Sequence, residues 1–281
     1  GGLTAVQAVR AIRLALGRFA AGGTEKLAEL GDHHTLTCLI TAATKHAARL
    51  RHAILARRFS VLYQPIVWLG DRTLHHHEAL IRPDAAEGMG PGEFVATAEA
   101  VGLSEALDLA VATVGAEALL AAPHAAVAVN VSGQSLESPE FLDRLMQICR
   151  AHSSLRGRLT FEVTETAEIT HPDCVDSAIT TLREAGHAVA LDDFGAGHSG
   201  FGYLQRFAVD FVKVDGLYVR NALASPRDRA ILESIVLVAH GLNSQVIAEQ
   251  VETEAQAAML ADMRVEFGQG WLFGQPGRLA G

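Results

Sequence analysis

The spacing of apolar residues changes period near residue 59, and the change divides the chain in two. Before it, Val6, Val9, Ile12, Leu16 and Phe19 recur every three to four positions, which predicts an amphipathic helix over 4–20. Thr4 is placed to cap that helix and Gly22-Gly23 to stop it. Arg10, Arg13 and Arg18 accompany it, so its face suits a membrane, a partner, or packing within its own domain or on a removed neighbour. A second helix is predicted over 35–57. Beyond 59, Phe59 to Trp68 and Leu74 to Ile81 read as strands joined by a turn at Gly70-Asp71, hence an antiparallel hairpin. Helices and strands then alternate. Helices are predicted over 92–121, 139–152, 172–185, 199–207, 226–241 and 253–262, and strands over 126–131, 159–164, 187–192, 210–214, 245–249 and 264–267. Such βα units imply a parallel sheet with helical crossovers. Eight strands favour closure into a barrel, and a doubly wound open sheet is the alternative.

The strand ends carry the chemistry. The run His187 to Leu191 closes on Asp192-Asp193-Phe194-Gly195. Two adjacent carboxylates at the end of a buried strand lose water and repel each other, and a divalent cation is the natural remedy. The same pattern recurs at Glu78, Asn130, Glu162, Lys213, Glu249 and Gln269, each on or just after an apolar run. Barrel active sites gather at such C-terminal strand ends. Five carboxylates (Glu78, Glu162, Asp192, Asp193, Glu249) with Lys213 leave the site at −4, which two divalent cations would neutralise. Oxygen donors with one amide and no His or Cys select hard ions, Mg²⁺ or Mn²⁺ over Zn²⁺. Two such ions about 3.5–4 Å apart suit phosphate-ester hydrolysis. Taken singly, each residue also has a structural reading as a cap, an ion-pair partner or a turn residue.

Composition narrows the choice. The formal charge of −9 argues against a nucleic-acid polymer as partner, which would need a basic stripe. Cys38, Cys149 and Cys174 are widely spaced, which fits neither a disulfide framework nor a zinc site and makes a reducing compartment the default. His75-His76-His77 resembles a metal tract, but three consecutive strand residues alternate faces and cannot all meet one ion. No run of about 18 apolar residues and no signal peptide is visible. The opening Gly1-Gly2-Leu3, without an initiating Met, is expected of a fragment whose missing region carries a sensor or an anchor.

Tyr63-Gln64-Pro65-Ile66-Val67 and Glu78-Ala79-Leu80-Ile81-Arg82 point to a family. With Glu162–Glu165, the DDFGxG segment at 192–197, KVD at 213–215, AExVE at 248–252 and QGxxFGxP at 269–276, the chain resembles the EAL domains, which hydrolyse the bacterial second messenger cyclic di-GMP to linear pGpG. The resemblance runs from about Arg51 to Pro276. It implies an α/β fold, a modified TIM (β/α)8 barrel with one antiparallel strand, over 51–281, with 1–50 as a helical linker or the remnant of an upstream region. It implies two Mg²⁺ or Mn²⁺ ions, inhibition by Ca²⁺, and a cytoplasmic homodimer under an upstream sensory or regulatory domain. Glu78, Asn130, Glu162 and Asp192 would hold one ion, and Asp192, Asp193 and Glu249 the other. Lys213 would position the attacking water or deprotonate it. Gln64, Leu80, Arg82 and Gln269 would contact substrate, and Glu165 would anchor the loop after the fifth strand.

That loop departs from the family pattern, with Ala196, His198 and Gly200 where Thr, Tyr and Ser are usual. The extra glycine raises the entropy cost of ordering it, so turnover is expected to be low or strongly regulated. Gln250 replaces a usual Gly, Trp271 a usual Tyr, and His76 a residue that is often small. The leading reading is a metal-dependent cyclic di-GMP phosphodiesterase. Its rivals are a non-catalytic cyclic di-GMP receptor that signals to a partner protein, and a structural dimerisation module.

Overall fold

A computed structural model describes residues 2–20, 33–164, 169–195 and 200–279. The chain forms two compact units, Gly1–Ser60 with Ile81–Ala110, and Val61–Leu80 with Val111–Gly281.

The first unit is helical. Helix α1 (Ala5–Ala20) starts at a reciprocal cap: Gln7 N donates to Thr4 Oγ1 at 3.2 Å, and Thr4 N donates to Gln7 Oε1 at 3.1 Å. It packs against α2 (His33–Leu55), with Ala11, Ala47 and Leu50 buried. Gly22-Gly23 lies outside the described residues. The stretch 92–121, predicted as one helix, is two, α3 (Pro91–Ala100) and α4 (Ser104–Ala121). Gly102, at φ 73°, supplies the left-handed residue that ends α3. Val101 and Leu103 are both buried, so the apolar pattern runs through the break and hides it.

The second unit is built on a closed barrel of eight strands in sequence order, which excludes the open sheet. The strands are β1 (Phe59–Trp68), β2 (Leu74–Pro83), β3 (Val127–Ser132), β4 (Leu159–Thr164), β5 (Val189–Phe194), β6 (Phe211–Val214), β7 (Gln245–Ala248) and β8 (Phe267–Gln269). From β2 to β8 neighbours run parallel, and β1 closes the ring against β8 in the opposite sense, with Ile66 opposite Gln269. The antiparallel first strand is the one that the Gly70-Asp71 turn predicted. Crossovers are supplied by α5 (Gly133–Leu136), α6 (Pro139–Ala151), α7 (Pro172–Glu184), α8 (Gly200–Arg206), α9 (Gly216–Ala222), α10 (Pro226–Gly241) and α11 (Glu254–Asp262). Helices α5 and α9 are too short to show a period, and only their caps, Ser132 and Asp215, mark them in the sequence. Strand β8 falls later than its predicted span of 264–267, because Phe267 rather than Val265 pairs with Ile247. Among the described residues no helix is long and apolar enough to cross a membrane.

Strand alternation sorts the barrel interior into layers. Ile66, Ala190, Phe211, Ile247 and Phe267 form a buried apolar cluster. Two residues from each, on the same strand face, come Gln64, Asp192, Lys213, Glu249 and Gln269. The acids therefore sit one layer above a dry floor. His76, two residues before Glu78, belongs to that floor, with its ring 6.0 Å from that of Phe211. Although neighbouring strand residues alternate faces, His75 and His76 turn toward each other, Nδ1 to Nδ1 at 2.6 Å. Burial pushes the His76 pKa well below the usual histidine value, with His75 and Lys213 adding to it.

The folded state resists protonating His76, whereas the unfolded chain accepts a proton near pH 6.5. His76 therefore lowers stability as pH falls below about 6.5. Urea denaturation of the parent and of His76→Leu at pH 7.5 and 5.5 measures this contribution. The parent is expected to lose more stability on acidification than the variant, and equal losses would refute the assignment.

Candidate metal centre and active site

Each polar group reaches the site from a different strand. Asn130 of β3 and Glu162 of β4 are register partners, which brings them side by side. Asn130 Nδ2 donates to Glu78 Oε1 at 2.9 Å, and Gln269 Nε2 donates to Glu78 Oε2 at 2.6 Å. Gln269 also donates to Gln64 Oε1 at 3.2 Å, and Gln64 donates to the Gly274 carbonyl at 3.2 Å. At the end of β5 the register shifts between Leu191 and Phe194, and Asp193 takes a left-handed φ of 51°. That irregularity lets adjacent Asp192 and Asp193 serve one site despite strand alternation.

Lys213 is the hub. Its Nζ lies 2.8 Å from Glu162 Oε2, 2.8 Å from Asp192 Oδ1, 2.8 Å from Glu249 Oε1 and 3.3 Å from Glu78 Oε2, and the side chain is only 1% exposed. Burial opposes its charge, but Asp192, Glu162, Glu249 and Glu78 outweigh burial and hold its pKa well above the ordinary lysine value. One ammonium cannot satisfy four acids. Burial, with repulsion from Glu78 and Asp192, drives Glu162 well above the carboxylate range against the pull of Lys213. Burial and the charges of Asp192 and Glu78 push Glu249 up to about 8. Burial and Asp192 push Asp193 up to about 6. Burial also opposes the charge of Glu78, yet Lys213 and the amides of Gln269 and Asn130 bring its pKa below the usual value.

Several buried oxygens lack a hydrogen-bond donor: Asn130 Oδ1, Glu162 Oε1, Asp192 Oδ1 and Gln269 Oε1. Asp192 Oδ1 is close enough to Lys213 for ion pairing, but the angle is poor for a hydrogen bond. Orphaned buried oxygens beside an excess of negative charge are what a hard cation requires. Among the described residues, two carboxylate groups have ligand atoms within 4.8 Å of one another, Glu78–Glu162–Asp192 and Asp192–Asp193–Glu249. They share Asp192, the residue the sequence reading placed between two ions. Glu78, Asp192, Asp193 and Glu249 face a cavity of about 510 Å³ whose walls include Gln64, Gln250, Glu252, Gly270 and the exposed Trp271.

Most of the predicted site residues thus come together. Leu80 and Arg82 lie farther along β2: Leu80 is half-buried, and Arg82 donates to the Ile81 carbonyl at 2.9 Å. Glu165, Ala196 and His198 lie outside the described residues, and Gly200 opens α8. Sequence reasoning passed over Tyr218, which donates to the Gly195 carbonyl at 2.8 Å; a lone tyrosine on a short helix carries no spacing signal.

Removing Lys213 leaves buried acids without a counter-charge. With divalent ions chelated, Lys213→Met is expected to lose about 3–5 kcal/mol at pH 8, the cost of breaking a buried ion pair. The loss shrinks at lower pH, where Glu249 is protonated in both proteins. Urea melts in EDTA measure this, and a variant as stable as the parent at pH 8 would contradict the electrostatic account.

Comparison with known proteins agrees with this geometry. The EAL domain model matches residues 47–276. The cyclic di-GMP phosphodiesterase NbdA of Pseudomonas aeruginosa is 35% identical over 238 residues, covering 82% of this chain and 30% of that protein. The cyclic di-GMP phosphodiesterase PdeB of Shewanella oneidensis is 32% identical over 249 residues, covering 85% of this chain and 29% of PdeB. The chain therefore spans about a third of the length of the curated relatives it matches. Among solved structures, the PaMucR phosphodiesterase in complex with c-di-GMP superposes with a TM-score of 0.74 at 29% identity, covering 83% of this chain and 97% of that one. Fold, strand-end chemistry and sequence agree: the chain belongs to the EAL domain family.

Proposed function

We propose that this chain is a metal-dependent phosphodiesterase that hydrolyses cyclic di-GMP to linear pGpG. The observation that carries the reading is the pair of carboxylate groups sharing Asp192 at the floor of the cavity. Glu78, Asn130, Glu162 and Asp192 would hold one Mg²⁺ or Mn²⁺, and Asp192, Asp193 and Glu249 the second. When bound, such ions acidify water and offset the charge of a phosphodiester.

The chain's own groups do the rest. Lys213 stays protonated among its four acids, so it donates a hydrogen bond and positions water instead of removing its proton. Glu249, with its pKa at about 8, holds a proton at neutral pH until a cation replaces it. Gln64 and Gln269 offer amides at the cavity wall, and exposed Trp271 offers a stacking face for a purine. Arg82, with its forked donors, would meet a phosphate oxygen, and Leu80 a base or ribose. Glu165 would anchor the loop after β5. A homodimer, an upstream sensory or regulatory domain and a cytoplasmic location belong to the same reading and rest on the family resemblance. The altered loop at 196–200 supports slow or regulated turnover.

The test is incubation with cyclic di-GMP and Mg²⁺ or Mn²⁺, with pGpG followed by chromatography. Product is expected, and Glu78→Ala should cut turnover by about 100-fold or more. Tight binding without product in either metal would favour a receptor, and no binding a scaffold. Ca²⁺, larger and less strict in geometry, is expected to permit binding but not hydrolysis. Full activity in Ca²⁺ would contradict the two-ion arrangement. Metal uptake should release protons, and its affinity should rise with pH up to about 8, where Glu249 becomes ionised. Titration calorimetry in buffers of different ionisation enthalpy reads that release, and a pH-independent affinity would count against Glu249 as a ligand.

A further inference from the structure

Helix α9 touches both flanks of the second carboxylate group. It begins three residues after Lys213, capped by Asp215, whose carboxylate accepts from Leu217 N at 2.7 Å. On the β5 side, the Tyr218 hydroxyl donates to the Gly195 carbonyl at 2.8 Å. Gly195 has a φ of 100°, and a Cβ there would stand 2.4 Å from the Tyr218 ring. The ring therefore lies flush on backbone two residues beyond Asp193. On the β7 side, Arg220 donates to Gln250 Oε1. The Gln250 side chain lies over Gly216, where a Cβ would be 2.5 Å from its own Cβ. Gln250 directly follows Glu249.

Two residues of this region are non-glycines in left-handed backbone, Asp193 at φ 51° and Gln250 at φ 52°. Such conformations are costly and persist where the surroundings hold them. Here one helix contacts the chain just past both ligands: Tyr218 meets Gly195, two residues beyond Asp193, and Arg220 and Gly216 meet Gln250, the residue after Glu249. The Glu78–Glu162–Asp192 group is supported differently, by strand register and by the amides of Asn130 and Gln269.

We propose that Tyr218 and the Gln250–Arg220 pair are positioning residues, and that α9 braces Asp193 and Glu249 at the spacing the second ion requires. The inference rests on the metal-dependent reading above. It predicts that the brace tunes one ion site and spares the other, which a general packing role would not do.

Mn²⁺ binding, followed by the loss of the free-ion electron paramagnetic resonance signal, tests this without any need for turnover. The parent is expected to bind two ions. Asp193→Asn identifies the second site as the binding step that it weakens. Tyr218→Ala and Gln250→Ala should each weaken that same step by about tenfold or more, the usual effect of losing support behind a metal ligand. The other step should stay within about twofold, because its supports are untouched. Gln250 is exposed, so its variant should fold normally, and Tyr218→Phe keeps the ring and should fall between parent and Tyr218→Ala. Variants that retain both affinities, or lose both equally, would overturn the brace. A parent that binds fewer than two ions would overturn the two-ion reading itself, and the brace with it.

Discussion

A single buried ammonium, Lys213, holds the active end of the barrel together. It lies within 3.3 Å of carboxylates from β2, β4, β5 and the end of β7. Those strands are joined by helical crossovers, and their acids would repel one another without it. Yet one positive charge among four acids is too few, and the shortfall appears as raised pKa values at Glu162, Glu249 and Asp193 and as orphaned oxygens on Asn130, Glu162 and Gln269. A core selected for stability alone would replace such a cluster with apolar groups. The imbalance is better understood as a site prepared for cations.

The barrel makes that preparation possible by layering. The apolar floor of Ile66, Ala190, Phe211, Ile247 and Phe267 excludes water from below, which strengthens every charge interaction one layer up. The same exclusion explains His76, a buried histidine held neutral beneath the acids instead of taking part in them. Strand alternation sets which residues face inward, and the register shift in β5 makes the one exception, bringing Asp193 alongside Asp192. Helix α9 then ties the exceptional strand end to the neighbouring Glu249 segment.

Much of this was legible in the chain. Alternating βα units, the Gly70-Asp71 turn and the polar ends of successive apolar runs favour a barrel over an open sheet and mark its one antiparallel strand and the acid set, because period and strand-end position are local properties. The charge count called for two cations, and the family resemblance put Asp192 in both ligand sets. What stayed hidden depends on tertiary contacts or on backbone geometry. The α3–α4 break falls inside a continuous apolar run. The left-handed backbone at Asp193 and Gln250 breaks the usual glycine preference, and Tyr218 matters only because Gly195 lies beneath it. The fate of His76 required knowing that Phe211 would face it.

The central claim is that the cluster around Lys213 is a two-cation site hinged on Asp192. Anomalous diffraction from crystals grown with Mn²⁺ tests it most directly. The account predicts two peaks, both within coordination distance of Asp192, one shared with Glu78 and Glu162 and the other with Asp193 and Glu249. A single peak, or two peaks with no common ligand, would contradict it.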